Sequence, residues 1–140
     1  MVGRCMSASL PDDATPAQRW FSLAEQDIAA ARILIEDGSV AMRIAGFLAQ
    51  QAAEKVLKAG LFSLGLTVPR IHGLNQLLDR YPVGGSPDVD RDDLDLLDPW
   101  VIDGRYAADL PDLSLTEAND LAKAAGRLSR RCSPCGRAPR

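Results

Sequence analysis

Hydrophobic positions recur along this chain at three- and four-residue spacing, in blocks bounded by helix-start and helix-stop signals. Thr15-Pro16-Ala17-Gln18 opens the first block: Thr15 can cap, Pro16 suits the first helical position, and Gln18 completes a capping box. Trp20, Ala24, Asp27/Ile28, Ala31 and Leu34/Ile35 then form one mostly apolar stripe, and Gly38 ends the helix. Ser39 is placed to cap a second helix running to about Leu64, with Gly65 as its stop. On a helical wheel Ile44, Phe47, Leu48, Ala52, Ala59 and Phe62 share one side, and Leu57, Leu61 and Leu64 lie nearly opposite. A helix apolar on two sides is expected to be central, covered by its own chain on one side and open to another chain on the other. Gly46 and Gly60 inside it each cost roughly 1 kcal/mol against Ala, which predicts close approach of another helix backbone.

Beyond a loop at Pro69, the spacing of Ile71, Leu74, Leu77 and Leu78 predicts a short third helix over 71–81. Residues 82–88, with two Gly and two Pro, read as a loop. A fourth helix over 90–97 places acids at its positive N-terminal end, and Pro99 should kink or restart it before residues 100–106. Ser114-Leu115-Thr116-Glu117 is a second capping box, opening a fifth helix through Leu121, Ala125 and Leu128. Composition agrees with this pattern, because 20 Ala and 19 Leu stand against 7 Val, 6 Ile and 3 Thr. The expectation is therefore an all-α bundle of four to five helices over residues 15–131. A flexible leader (1–14) precedes it and a flexible Arg-rich tail (132–140) follows.

Charge and cysteine usage narrow the function classes. The formal charge of −3 argues against a basic nucleic-acid binder as a whole, but the charge is uneven. Residues 79–120 carry 12 acids and 3 bases, whereas 127–140 carry five Arg and no acid. The acidic stretch reads first as a solvated surface. No run of 18 apolar residues exists for a membrane helix, no secretory signal is seen, and a cytoplasmic location is expected by default. Cys132-Ser-Pro-Cys135 is a single CxxC; four-ligand zinc would also need Cys5 and His72, so neither a metal nor a disulfide framework is expected. No Gly-rich phosphate loop, G-x-S-x-G elbow or H-E-x-x-H site is present.

The second helix holds the main chemical anomaly. Gln51, Lys55 and Lys58 fall in the same sector as Ile44, Leu48 and Phe62, with Glu54 at its edge. Polar groups set into an apolar face are costly unless they are partnered or used. Two readings are open: an i,i+4 pair of Glu54 and Lys58 with snorkelling lysine stems, or a polar pocket in which two ammonium groups meet phosphate or another anion. His72, the one histidine, is either a structural hydrogen-bond partner or a group that titrates near neutral pH. Arg105-Tyr106 is a second cationic and aromatic point, suited to phosphate or to an ion pair with Asp103 or Asp109.

Taken together, Trp20-x3-Ala24-x2-Asp27, Phe47, the Gln50-Gln51-Ala52-Ala53-Glu54-Lys55-x-Leu57-Lys58-Ala59 block, Gly65, Pro69-x2-His72-x-Leu74 and Ile102-x2-Arg105-Tyr106 resemble the prokaryotic HEPN domain family. The resemblance covers about residues 17–128. It implies an up-and-down helical bundle, a homodimer, and a bound nucleotide as the one cofactor-like ligand. It further implies a minimal nucleotidyltransferase partner in a toxin–antitoxin-like pair, and in some members RNA cleavage. Carried over residue by residue, the site comprises Gln51, Glu54, Lys55, Lys58, His72, Arg105 and Tyr106, with His72 and Arg105 as the catalytic candidates. The ribonuclease members carry Arg-x4-6-His. Here Gly65, Leu66 and Thr67 stand where that Arg would be, no His follows Arg105, and Ala107 replaces the Pro often seen after this Arg-Tyr pair. Cleavage of RNA without metal needs a base for the 2′-hydroxyl and a group to stabilise the phosphorane, so a non-catalytic module is expected.

Overall fold

A computed structural model describes residues 10–101 and 112–133. Five α-helices occur among them: α1 (Pro16–Asp37), α2 (Met42–Ser63), α3 (Leu74–Leu78), α4 (Arg91–Leu97) and α5 (Leu115–Cys132). A single 3-10 turn, Asp98–Trp100, carries Pro99 and follows α4 directly. The described residues contain no strand, as the composition predicts. Residues 1–9, 102–111 and 134–140 lie outside the description, and with them most of the leader, Arg105, Tyr106, Cys135 and the rest of the tail.

Local signals set most helix ends. The Thr15 hydroxyl accepts from the Gln18 amide while the Gln18 side chain accepts from the Thr15 amide. Ser114 and Glu117 reproduce the same reciprocal box at α5. Gly38 closes α1 in the left-handed region, at φ 73°. Removing either box, by Thr15→Ala or Ser114→Ala, is expected to lower unfolding free energy by about 1 kcal/mol, read by urea denaturation.

Elsewhere long-range partners override the local signal. Ser39 does not cap α2; its hydroxyl bonds the Asp37 carboxylate instead. The helix starts at Met42, and the Arg43 amide is satisfied by Asp112 Oδ1 at 3.0 Å, from a residue 69 positions away. The third helix covers Leu74–Leu78, shorter than the expected 71–81, with Ile71 and Tyr81 packing against the core from either side of it. Its first amide donates to Asp98 Oδ1 at 2.8 Å.

α1 and α2 form an antiparallel hairpin; α5 packs against both of its helices, while α3 and α4 pack against α2, and α4 also against α5. The core joins Phe21, Ala24, Ile28 and Ala31 of α1, Ala49, Ala52, Ala53, Val56, Leu57 and Leu61 of α2, and Leu121, Ala125 and Leu128 of α5. Leu57 and Leu61 are fully buried, so that side of α2 is the core side. The other apolar side is only half covered, chiefly by α1: Trp20 stacks on Phe62 with ring centroids 5.9 Å apart, and Ile44 stays 42% exposed. The two glycines of α2 admit side chains rather than a helix backbone. A Cβ on Gly46 would stand 2.6 Å from Leu113 Cδ1, and one on Gly60 would run into the Tyr81 hydroxyl.

The acidic and Arg-rich stretches meet in space. Arg127 makes a two-pronged bond to Asp93, at 2.7 and 3.0 Å, and Arg131 reaches Asp88 at 2.9 Å. The bond to Asp93 holds the Arg127 guanidinium above its ordinary pKa. The acidic stretch is thus in part a partner for the last turns of α5, and not solely a solvated surface.

Candidate functional site

The polar residues of α2 gather with the loop that follows it. Glu54 and Lys58, one helical turn apart, are buried and bonded at 2.7 Å. Lys58 Nζ also lies over the Trp20 ring, 5.8 Å from its centroid. Lys55 crosses to α1 and meets Asp27 Oδ2 at 2.5 Å. His72 approaches Glu54 through Nδ1, at 3.1 and 3.2 Å from the two carboxylate oxygens. Its side chain is 64% exposed, so the imidazole stands at the rim above a buried carboxylate.

Two glutamines complete the frame. Gln50, fully buried, donates from Nε2 to the His72 backbone carbonyl at 3.2 Å and accepts from Gln51 Nε2 at 2.9 Å. The loop bearing His72 is therefore tied to α2 twice, by its main chain and by its ring. Among the described residues no buried side-chain nitrogen or oxygen lacks a partner, which removes the main penalty for placing these groups inside.

The structure joins Glu54 to Lys58 and His72, and Gln51 to the His72 loop through Gln50, while Lys55 pairs with Asp27 across the α1–α2 groove. Arg105 and Tyr106 lie outside the described residues. Three members of the cluster are not singled out as site residues by sequence: Gln50, Asp27 and Trp20. Their signals are present all the same. Asp27 interrupts the apolar stripe of α1 as Lys55 interrupts that of α2, and Gln50 falls in the Leu57–Leu61 sector of its helix. What periodicity does not supply is which carboxylate meets which lysine.

The cluster is balanced in charge, with Asp27 and Glu54 set against Lys55 and Lys58. His72 turns Nδ1 to the Glu54 carboxylate, so Nε2 is the ring nitrogen that Glu54 does not engage. Two surface cavities lie away from this cluster. One, of about 360 Å³, is lined by Asp88, Asp93, Arg127 and Arg131; the other, of about 290 Å³, by Ala59, Gly60, Tyr81 and Cys132. Neither includes a residue of the cluster. No helix among the described residues is long and apolar enough to cross a membrane.

A model of the HEPN domain matches residues 17–133 of the chain. Among solved structures, TT1696 from Thermus thermophilus is similar at 25% identity and a TM-score of 0.71, covering 87% of this chain and 99% of its own. ST0689, an archaeal HEPN homologue, is similar at 25% identity and a TM-score of 0.64, with 85% and 96% covered. No curated protein matches the chain.

Proposed function

The chain belongs to the HEPN domain family, and from that premise we propose that it is a non-catalytic helical module that works as a homodimer, binds nucleotide or RNA phosphate, and acts with a minimal nucleotidyltransferase partner. The observation supporting the binding half is the cluster itself: Lys55 and the exposed His72 ring border a buried Glu54–Lys58 pair. Lys55 spends one of its three N–H donors on Asp27 and keeps others for a phosphate oxygen. The buried pair below acts as scaffold, holding His72 in place from underneath. The reading of a nucleotidyltransferase partner is supported by the family resemblance alone.

The non-catalytic reading rests on the missing arginine at positions 65–67 and on there being one histidine. One observation favours the second reading, an RNA-cleaving site of atypical composition. Glu54 contacts His72 through Nδ1, as an acid orients the histidine of a hydrolytic triad, and Nε2 is the ring nitrogen it leaves unengaged. In that reading Arg105 stabilises the phosphorane.

Calorimetric titration of the full chain with ATP and with a short single-stranded RNA separates these readings. Binding is expected, weakened roughly tenfold by Lys55→Ala, with the RNA left intact. No heat at millimolar ligand, or an affinity indifferent to Lys55→Ala, overturns the proposed site. RNA cleavage abolished by both His72→Ala and Glu54→Gln replaces it with the catalytic reading. Native mass spectrometry of protein purified gently from its host then reports subunit count, retained nucleotide and any partner chain.

A further inference from the structure

Three arginines stand in the last two turns of α5, and two of them hold acids: Arg127 is bonded to Asp93 and Arg131 to Asp88. Arg130 does not join them. Its guanidinium lies back over the preceding turn of its own helix, at Gly126, and Arg32 crosses from α1 to the same place. A Cβ on the buried Gly126 would stand 2.9 Å from Arg32 Nη2 and 3.4 Å from Arg130 Nη1. Two guanidinium groups from two helices therefore share one point.

Among the described residues nothing neutralises the pair. Neither side chain has an ion pair or a hydrogen bond there. Arg32 has a carboxylate one turn on, at Glu36, and does not take it. Glu25, the other acid on this flank of α1, accepts from the Ser129 hydroxyl. Like charges repel, and holding a long side chain in one place costs rotamer freedom. Both arginines are exposed and could part into water, so their convergence has the form of a receptor for a negative group. Its floor is low: Gly126 and Ala122, buried one turn apart, offer at most a methyl group.

The donors select the ligand. Two guanidinium forks present paired N–H groups and two positive charges. A carboxylate fills one fork with one charge, and a phosphodiester brings two terminal oxygens and one charge. A phosphate monoester brings three terminal oxygens and nearly two charges, which matches both forks. The neighbours favour a compact group as well. Glu25 lies two turns before Arg32 and Glu36 one turn after it, so a longer polyanion laid along the groove would meet carboxylates. This flank is not that of the Lys55 cluster: Arg32 is about 140° around α1 from Asp27, which faces Lys55 of α2.

We propose that Arg32 and Arg130 form a second anion site, in the α1–α5 groove above Gly126, which binds a phosphate monoester between the two guanidinium groups. It is independent of the site around Lys55 and is complete within one copy of the chain.

NMR of the arginine Nε–H signals of the full chain, titrated at constant ionic strength with AMP, inorganic phosphate and dimethyl phosphate, tests the assignment. AMP and inorganic phosphate are expected to move the Arg32 and Arg130 signals saturably, while Arg127, held by Asp93, stays in place. Arg32→Gln and Arg130→Gln should each weaken binding at this site at least about tenfold, and dimethyl phosphate should bind about tenfold more weakly than inorganic phosphate. Lys55→Ala should leave these shifts unchanged, which separates failure of this site from failure of the cluster. Because both arginines are exposed and unpaired among the described residues, the glutamine variants should melt with the wild type by circular dichroism. AMP binding more tightly than inorganic phosphate supports the site and assigns a nucleotide to it; equal affinities support it and assign the phosphate group alone. Signals that stay still at about 10 mM AMP or phosphate overturn the site. So do affinities that the glutamine variants keep, shifts lost in Lys55→Ala, or a diester that binds as tightly as the monoester.

Discussion

Lys58→Ala is expected to lower the unfolding free energy by about 3 kcal/mol, a drop of roughly 10 °C in melting temperature for a chain of this size. Lys58 and Glu54 are both buried, so removing the ammonium leaves an ionised carboxylate with little water to replace its partner. Two features keep the loss near the lower end for a broken buried pair. His72 Nδ1 still contacts both Glu54 oxygens, and the exposed imidazole side of the cluster lets water in. The Ala variant also loses the lysine stem and the contact of its ammonium with the Trp20 ring. A paired replacement, Glu54→Leu with Lys58→Met, should recover most of the stability, because two apolar side chains of similar size carry no desolvation penalty. Chemical denaturation of the two single variants and the double measures this directly. A Lys58→Ala variant as stable as the wild type would mean that the pair is solvated and the cluster open. It follows that Lys55, whose pair with Asp27 is more exposed than the Glu54–Lys58 pair, is the better probe of ligand binding: its loss is less confounded by unfolding.

Gly60→Ala should destabilise the protein by about 1–2 kcal/mol, although alanine favours a helix by roughly 1 kcal/mol over glycine. The reason is the Tyr81 ring. A Cβ at position 60 would collide with its hydroxyl and sit 3.0 and 3.2 Å from Cζ and Cε1, while that hydroxyl donates to the Leu57 carbonyl. The ring is pinned by this bond and by its packing on the core, so it cannot simply swing aside. In a Tyr81→Phe background the collision with oxygen and the bond that pins the ring are both gone, so the ring can shift by the few tenths of an ångström its carbons require and the same substitution should be close to neutral. The double-mutant cycle is therefore expected to show a coupling of about 2 kcal/mol, whereas additivity within a few tenths would place the tyrosine elsewhere. Tyr81 thus explains a glycine that helix propensity alone makes an anomaly.

The two cases show what kind of information a single sequence carries. Period and capping chemistry are local, involving neighbours within one or two turns, and they are legible. The Thr15–Gln18 and Ser114–Glu117 boxes, the Gly38 stop, the α1 stripe and the all-α class all follow from residues close together in the chain. The Glu54–Lys58 pair is legible for the same reason, since one turn separates the two residues. Membership in the HEPN family is legible too, through a set of spacings over most of the chain.

Everything requiring a partner from another helix was decided by tertiary structure. Ser39 has the chemistry of a cap, yet Asp112 satisfies the start of α2 and Ser39 turns to Asp37, because a carboxylate delivered by the fold competes with a weaker local hydroxyl. Lys55 could face any acid on the bundle, and antiparallel packing of α1 on α2 selects Asp27. Gln50 is one more helix-favouring residue until the fold lays the His72 loop across it. Helical period alone determined which residues share a face; only the packing of those faces determined which charges meet and which glycines are filled.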